Sequence, residues 1–185
     1  MTTSVQLYLV RHGRASAGFA EAHDPGLDNL GRDQALAIAQ ELAPRGPLPI
    51  LTSPLKRARE TAAPLAELWK VPAQVEPKVA EISSPTENLQ ERSMWLAQAL
   101  RGRWSELPSF YQDWRDSLVT FLRTCKTSAV VTTHFVAINA IVGAAIGDDR
   151  MVCFEPDHCS CTVLDVTGRN LRLVSLGRQR ATQIR

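Results

Sequence analysis

Two histidines and two arginines stand where short apolar runs stop. The run Gln6–Val10 passes straight into Arg11-His12-Gly13. The run Leu48–Thr52 ends at Ser53-Pro54-Leu55-Lys56-Arg57, and Ala129–Thr133 ends at His134. A neutral imidazole is a nucleophile near pH 7, and a neighbouring guanidinium favours the neutral form by charge repulsion. A guanidinium also offers planar donors that match phosphate oxygens, and it stays charged. Together these groups suit a phosphoryl group and would stabilise the charge on its equatorial oxygens during transfer. Gly13 lets the backbone approach that group with no Cβ in the way.

The groups meet only if their runs are parallel strands that open on one edge of a sheet. The pattern between the runs supports this. Ala35, Ile38, Ala39 and Leu42 recur at helical spacing and predict a helix over Asn29–Ala43, with Asp28 as its N-cap. Ala58, Ala62, Leu65, Ala66 and Trp69 predict a second helix from Leu55 to Trp69. The segment Phe135–Ile146 is apolar nearly all round and predicts a buried helix. Between them, Glu81–Trp114 is rich in Trp, Arg and Glu, and reads as one or two helices broken near Pro108, with another helix over Trp114–Cys125. The end reads as a hairpin, Cys159–Val166 and Leu171–Leu176, turned at Thr167-Gly168. Alternating strands and helices that close with a hairpin predict a three-layer α/β/α sandwich: a mostly parallel mixed sheet with an antiparallel edge hairpin. Ligands in such sheets sit outside the carboxyl ends of the strands.

The chain of 185 residues is sized for one domain over 1–185, with 81–115 as a helical cap over the site. Its 44% hydrophobic and 22% charged content fits a soluble globular protein. The formal net charge of +2 gives no reason to expect nucleic acid or a membrane as partner. Arg178, Arg180 and Arg185 read as a solvated tail. The start, Met1–Val5, lacks a secretory pattern, and Phe135–Ile146 is too short to span a bilayer. With Cys125, Cys153, Cys159 and Cys161 as few, free thiols, a cytoplasmic location is expected.

Four segments now carry a resemblance. They are Leu9-Val10-Arg11-His12-Gly13, Leu27-Asp28-Asn29-Leu30-Gly31-Arg32-Asp33-Gln34-Ala35, Ser53 to Ala62, and Val130-Val131-Thr132-Thr133-His134. In this order they resemble the histidine phosphatase superfamily, the phosphoglycerate-mutase-like group. The resemblance implies His12 as a phosphorylated nucleophile, with Arg11, Arg57 and His134 as the phosphate pocket, and no metal or organic cofactor. It also implies an acidic proton donor after the third strand, a position that Glu81 in Val79-Ala80-Glu81-Ile82 matches best. Glu87 and Glu91 are rivals that read as helical surface carboxylates. A general acid must hold its proton near neutral pH, so burial or the phosphate charge would have to raise its pKa.

The match departs from the mutases of that family, which carry Ser and Asn where this chain has Ala15 and Gly18. Phosphate-monoester hydrolysis is therefore expected ahead of a phosphomutase activity. A catalytically silent phosphate-binding module is the reading from another class, disfavoured because nucleophile and acid are both present. The expected partner is a small phosphorylated substrate or a phosphoprotein; the oligomeric state is not read from the sequence. Ser16 is close enough in sequence to bond a phosphate, and an exposed loop serine is equally compatible. Phe135-Val136 stand where the family often has glycine, and Phe135 either narrows the pocket or packs. His23 reads as a solvent histidine within reach of the pocket rim. The tryptophans of 81–115 read as core and its arginines as surface. His158, Cys159 and Cys161 raise the thought of a metal, but two thiols on one strand side without a fourth ligand read as structural.

Overall fold

The computed structural model describes residues 4–180; Arg185 lies outside them. Six strands form one mixed sheet: β1 (Val5–Arg11), β2 (Ile50–Thr52), β3 (Gln74–Val75), β4 (Ala129–Thr133), β5 (Cys161–Thr167) and β6 (Asn170–Ser175). Their order across the sheet is β3-β2-β4-β1-β5-β6. The pairs β3–β2, β2–β4 and β4–β1 are parallel, while β1–β5 and β5–β6 are antiparallel. This is the expected mostly parallel sheet with an antiparallel edge hairpin. Gly168 opens the hairpin turn with φ +64°, a left-handed conformation that glycine adopts without steric cost. The two turn residues are Gly168 and Arg169, one step beyond the expected Thr167-Gly168.

Helices cover both faces, which makes the three layers. The period-two alternation of β1 sends Tyr8 and Val10 to one face and Leu7 and Leu9 to the other. Helices α1 (Asn29–Leu42) and α2 (Lys56–Trp69) pack on the first face through Ala35, Ile38, Ala39, Ala62 and Leu65. Helix α1 starts where the sequence places it: Asp28 accepts from the Gly31 backbone N–H at 2.7 Å. On the second face lie α4 (Ser109–Arg123) and α5 (Phe135–Ile146), with α3 (Leu89–Ala99) beside them. Every residue of α5 from Val136 to Gly143 is buried, as its all-round apolar pattern requires. No helix among the described residues is long and apolar enough to cross a membrane.

Two local expectations change, and one strand comes without any signal in the sequence. Helix α4 begins at Ser109, directly after Pro108, not at Trp114. A proline stops a preceding helix but suits the entrance of the next, because the missing N–H would have no partner there. The edge strand β3 has two exposed residues and no apolar run to announce it. Cys159 is not on a strand: it sits in a tight turn with φ +51°, and β5 starts at Cys161. Both thiols are free and belong to the first-face core.

Candidate active site

Strands β1 and β4 are neighbours, and the chain leaves their carboxyl ends in opposite directions, toward α1 on one face and α5 on the other. That divergence opens a crevice at the strand ends. His12 follows β1, His134 follows β4, and the His12 backbone N–H donates to the Thr133 carbonyl at 2.9 Å. The imidazoles lie 5.2 Å apart between ring centroids. Arg57 reaches the same place from the first turn of α2, donating through Nε to His12 Nε2 at 3.2 Å.

The tautomer of His12 follows from its second contact. Nδ1 lies 2.7 Å from the carbonyl oxygen of Gly13, which can only accept. Nδ1 therefore carries the proton, and Nε2 carries a lone pair on the Arg57 side. Burial, then the charges of Arg57 and Arg11, hold the His12 pKa well below its ordinary value, so the ring is neutral at neutral pH. His134 is neutral for the same reasons, burial first. Its Nε2 lies 2.7 Å from Ser53 Oγ, and its Nδ1 is buried without a protein partner among the described residues.

The loop after β1 is pinned by close backbone approach. A Cβ on Gly13 would stand 2.6 Å from the carbonyl oxygen of Gly31 in α1, and one on Gly31 would collide with the Arg14 carbonyl. The Gly13 N–H donates to Thr61 Oγ1 of α2 at 3.0 Å. The matched segments therefore touch one another: α1 and α2 both clamp the turn that carries the nucleophile candidate.

A cavity of about 550 Å³ opens above these groups, with Arg11, His12, Arg57 and Glu81 in its wall. Glu81 enters from the loop after β3. One carboxylate oxygen accepts from the backbone N–H of Ala137 at 3.1 Å and the other from that of Val136 at 3.2 Å. These are free donors of the first turn of α5, whose N-cap His134 has no side-chain capping bond, so Glu81 caps the helix from afar. Burial raises the Glu81 pKa above its ordinary value, against the opposing pull of the backbone donors and Arg57. Arg11 is held by the Pro156 carbonyl at 2.8 Å, and its buried Nε has no partner among the described residues. Burial, with the charge of Arg180, brings the Arg11 pKa down to about 10, leaving it charged at neutral pH.

Of the sequence candidates, Arg11, His12, Arg57, Glu81 and Ser16 line the cavity. His134 does not; it lies behind His12, fully buried. Glu87 and Glu91 are exposed, Glu91 accepting from Thr86 Oγ1. His23 reaches the rim, its Nδ1 2.7 Å from an Arg92 nitrogen. Phe135 both lines the cavity and packs under the Arg11 guanidinium, 5.2 Å from its ring centroid. Trp104 is buried and stacks on Trp114, as a core reading requires. Two residues were not foreseen. His158 lines the cavity with its ring 5.9 Å from that of His12, and Arg180, expected in a solvated tail, lines it as well. His158 precedes β5 and Arg180 follows β6, and the neighbours of neither in sequence signal that it returns to the strand ends.

A family model described as the histidine phosphatase superfamily (branch 1) matches residues 7–179. Phosphoserine phosphatase 1 of Hydrogenobacter thermophilus is 25% identical over 201 residues, covering 93% of this chain and 92% of its own. A glucosyl-3-phosphoglycerate phosphatase of Mycolicibacterium vanbaalenii is 36% identical over 80 residues, 41% of this chain and 36% of that protein. Other curated relatives matching at 44% and 36% identity are likewise spanned over only 15% and 42% of their length. The solved structure of a putative alpha-ribazole-5'-P phosphatase from Escherichia coli K-12 superposes with a TM-score of 0.75 at 18% identity, covering 96% of this chain and 98% of that one. The fold is thus shared at full length, and the family model takes in both strand ends and both clamping helices: the chain belongs to the histidine phosphatase superfamily, branch 1.

Proposed function

We propose that the protein hydrolyses phosphate monoesters in two steps through a phosphohistidine on His12. The observation that carries this reading is the fixed tautomer of His12: Nδ1 bound to the Gly13 carbonyl leaves the Nε2 lone pair for phosphorus. An incoming phosphoryl oxygen takes the Arg57 donor and so frees that lone pair. Nε2 then bonds phosphorus as the ester P–O bond breaks, and Glu81 gives its proton to the leaving oxygen. Water next attacks phosphorus, the P–N bond breaks, and the water proton returns to Glu81. Arg11 and Arg57 neutralise the phosphoryl oxygens through both steps, so the reading needs no metal or organic cofactor. His134 backs the His12 ring, its centroid 5.2 Å away, and its buried Nδ1 has no partner among the described residues.

The cavity volume suits a small phosphorylated substrate. Leu96 and Leu100 from the segment 81–115 form one of its side walls, which supports the cap reading. The test is p-nitrophenyl phosphate hydrolysis in excess chelator by the native protein and by His12→Ala. Activity that survives chelation and is lost in His12→Ala is expected. Activity that persists in the variant would move the nucleophile elsewhere, and activity lost on chelation would bring a metal into the reaction.

A further inference from the structure

The charges of the cavity close on a phosphoryl group alone. Arg14 is paired with Asp28 at 2.5 Å, and Arg57 stands 3.8 Å from Asp24. The other charged lining residues are Arg11 and Arg180 against Glu21, with Glu81 holding its proton in the proposed reaction. Burial, then the charges of Arg11 and Arg180, lower the His158 pKa to about 4, so that ring is neutral at neutral pH. A phosphate dianion therefore takes up the whole cationic excess. No cation is left for a second anion on the rest of the substrate.

The wall that this remainder meets is apolar. Arg92, Leu96 and Leu100 follow at intervals of four, so they share one face of α3 and its C-cap. Leu96 and Leu100 line the cavity while packing against the second-face core. Besides Glu81, they are what the segment 81–115 contributes to the lining, so the cap offers the substrate no hydrogen-bonding side chain except the acid. Phe19, in the loop after β1, lines the same cavity and carries the Arg92 guanidinium 4.4 Å above its ring. Arg92 also donates to His23 Nδ1 at 2.7 Å, since a guanidinium has no acceptor. The loop is thus tied to α3 by a cation that is itself engaged and stays out of the lining. Phe135, at the start of α5, adds a second ring beside Arg11.

We infer that Phe19, Leu96, Leu100 and Phe135 form a subsite for an uncharged, apolar group, and that the substrate is the phosphate monoester of an alkyl or aryl alcohol. The inference deepens the phosphatase reading and rests on it for the chemistry. Burying a carbon body against these side chains removes apolar surface from water on both sides. A carboxylate in the same place would lose its hydration with no cation to replace it.

Binding can be read without turnover. Straight-chain alkylphosphonates from methyl to pentyl, with 4-carboxybutylphosphonate as the charged match to pentyl, are titrated calorimetrically into the native protein. Affinity rises about two- to fourfold with each methylene, the upper figure being that of a fully buried one. The carboxylate-ended analogue binds at least about tenfold more weakly than pentylphosphonate. In Leu96→Asn and Leu100→Asn the gain per methylene falls toward onefold, and in Leu100→Met it is kept. Phe19→Ser, in a loop outside the core, lowers the gain as well and serves if the helix variants do not fold. A native gain near onefold, a carboxylate that binds as tightly as the alkyl chain, or a gain that the folded variants leave intact overturns the inference. Hydrolysis of the matching alkyl phosphates by the native protein is followed separately as released phosphate. Chain-length-dependent binding without hydrolysis would overturn the phosphatase reading alone. Hydrolysis without chain-length dependence would overturn the apolar subsite alone, and no binding by any phosphonate would overturn both.

Discussion

Replacing Glu81 separates the helix cap that it forms from the proton transfer proposed for it. Its oxygens accept from the backbone N–H groups of Ile82, Val136 and Ala137 at 3.1–3.2 Å, two of them at the start of the buried helix α5. Glu81→Ala removes a charged helix cap and leaves those donors to whatever water enters the cavity. A lost cap costs about 1 kcal/mol and a lost bond to a charged acceptor about 1.5–3 kcal/mol, so a total near 2–4 kcal/mol is expected. Glu81→Gln keeps one acceptor and removes a carboxylate that burial disfavours, so its stability stays within about 1 kcal/mol of native. Urea unfolding measures both. Activity follows the opposite logic, because the amide cannot supply a proton. For alkyl phosphates, whose alkoxide leaves only when protonated, kcat/KM of Glu81→Gln falls by about 10²–10⁴. For p-nitrophenyl phosphate the leaving group departs unaided, so kcat/KM falls far less. The slow step moves to hydrolysis of the phosphohistidine, and one equivalent of nitrophenolate appears in a burst. Equal losses of kcat/KM on both substrates would refute the assignment of Glu81 as proton donor and leave it a helix cap alone.

Two further outcomes follow from the buried groups. His12, His134 and His158 have folded pKa values below that of an unfolded histidine, His158 at about 4, so the unfolded chain binds their protons more readily. Stability is therefore full above about pH 6.5 and declines as pH falls toward 4; the urea midpoint tracks this, and His158→Asn makes the decline shallower, whereas an unchanged slope would refute the burial of a neutral His158. Gly31→Ala drives a Cβ into the Arg14 backbone, so it costs about 1–3 kcal/mol and lowers phosphatase activity through the displaced turn, as thermal melts and p-nitrophenyl phosphate assays together would show.

Much of this site is written locally. Arg11, His12, Arg57 and His134 each lie next to the end of a strand whose apolar run is plain, and a parallel sheet leaves such ends no choice but to gather. Helix α5 is legible for the same reason, since an all-apolar stretch of that length must be buried. The strand β3 is not, because two exposed residues bear no hydrophobic signature and owe their conformation to β2 alongside. The start of α4 is obscured because Ser109 and Phe110 of its first turn face solvent. His158 and Arg180 are separated from His12 by most of the chain. Their proximity comes from the antiparallel return of β5, a tertiary fact that neither residue's neighbours encode.

The change from parallel to antiparallel pairing falls at β1, the strand that delivers His12. Beside it, Val10 at the leaving end of β1 faces Cys161 at the entering end of β5. In an all-parallel sheet every segment at this edge would be a departing loop that must go on to build a helix. Here one segment arrives instead, after its helix is complete, and is bound by no such duty. The fold thus gives the site two independently variable borders: the helical stretch 81–115 on one side and the approach to β5 with the chain's last described residues on the other. Both reach the cavity wall, the first through Leu96 and Leu100 and the second through His158 and Arg180.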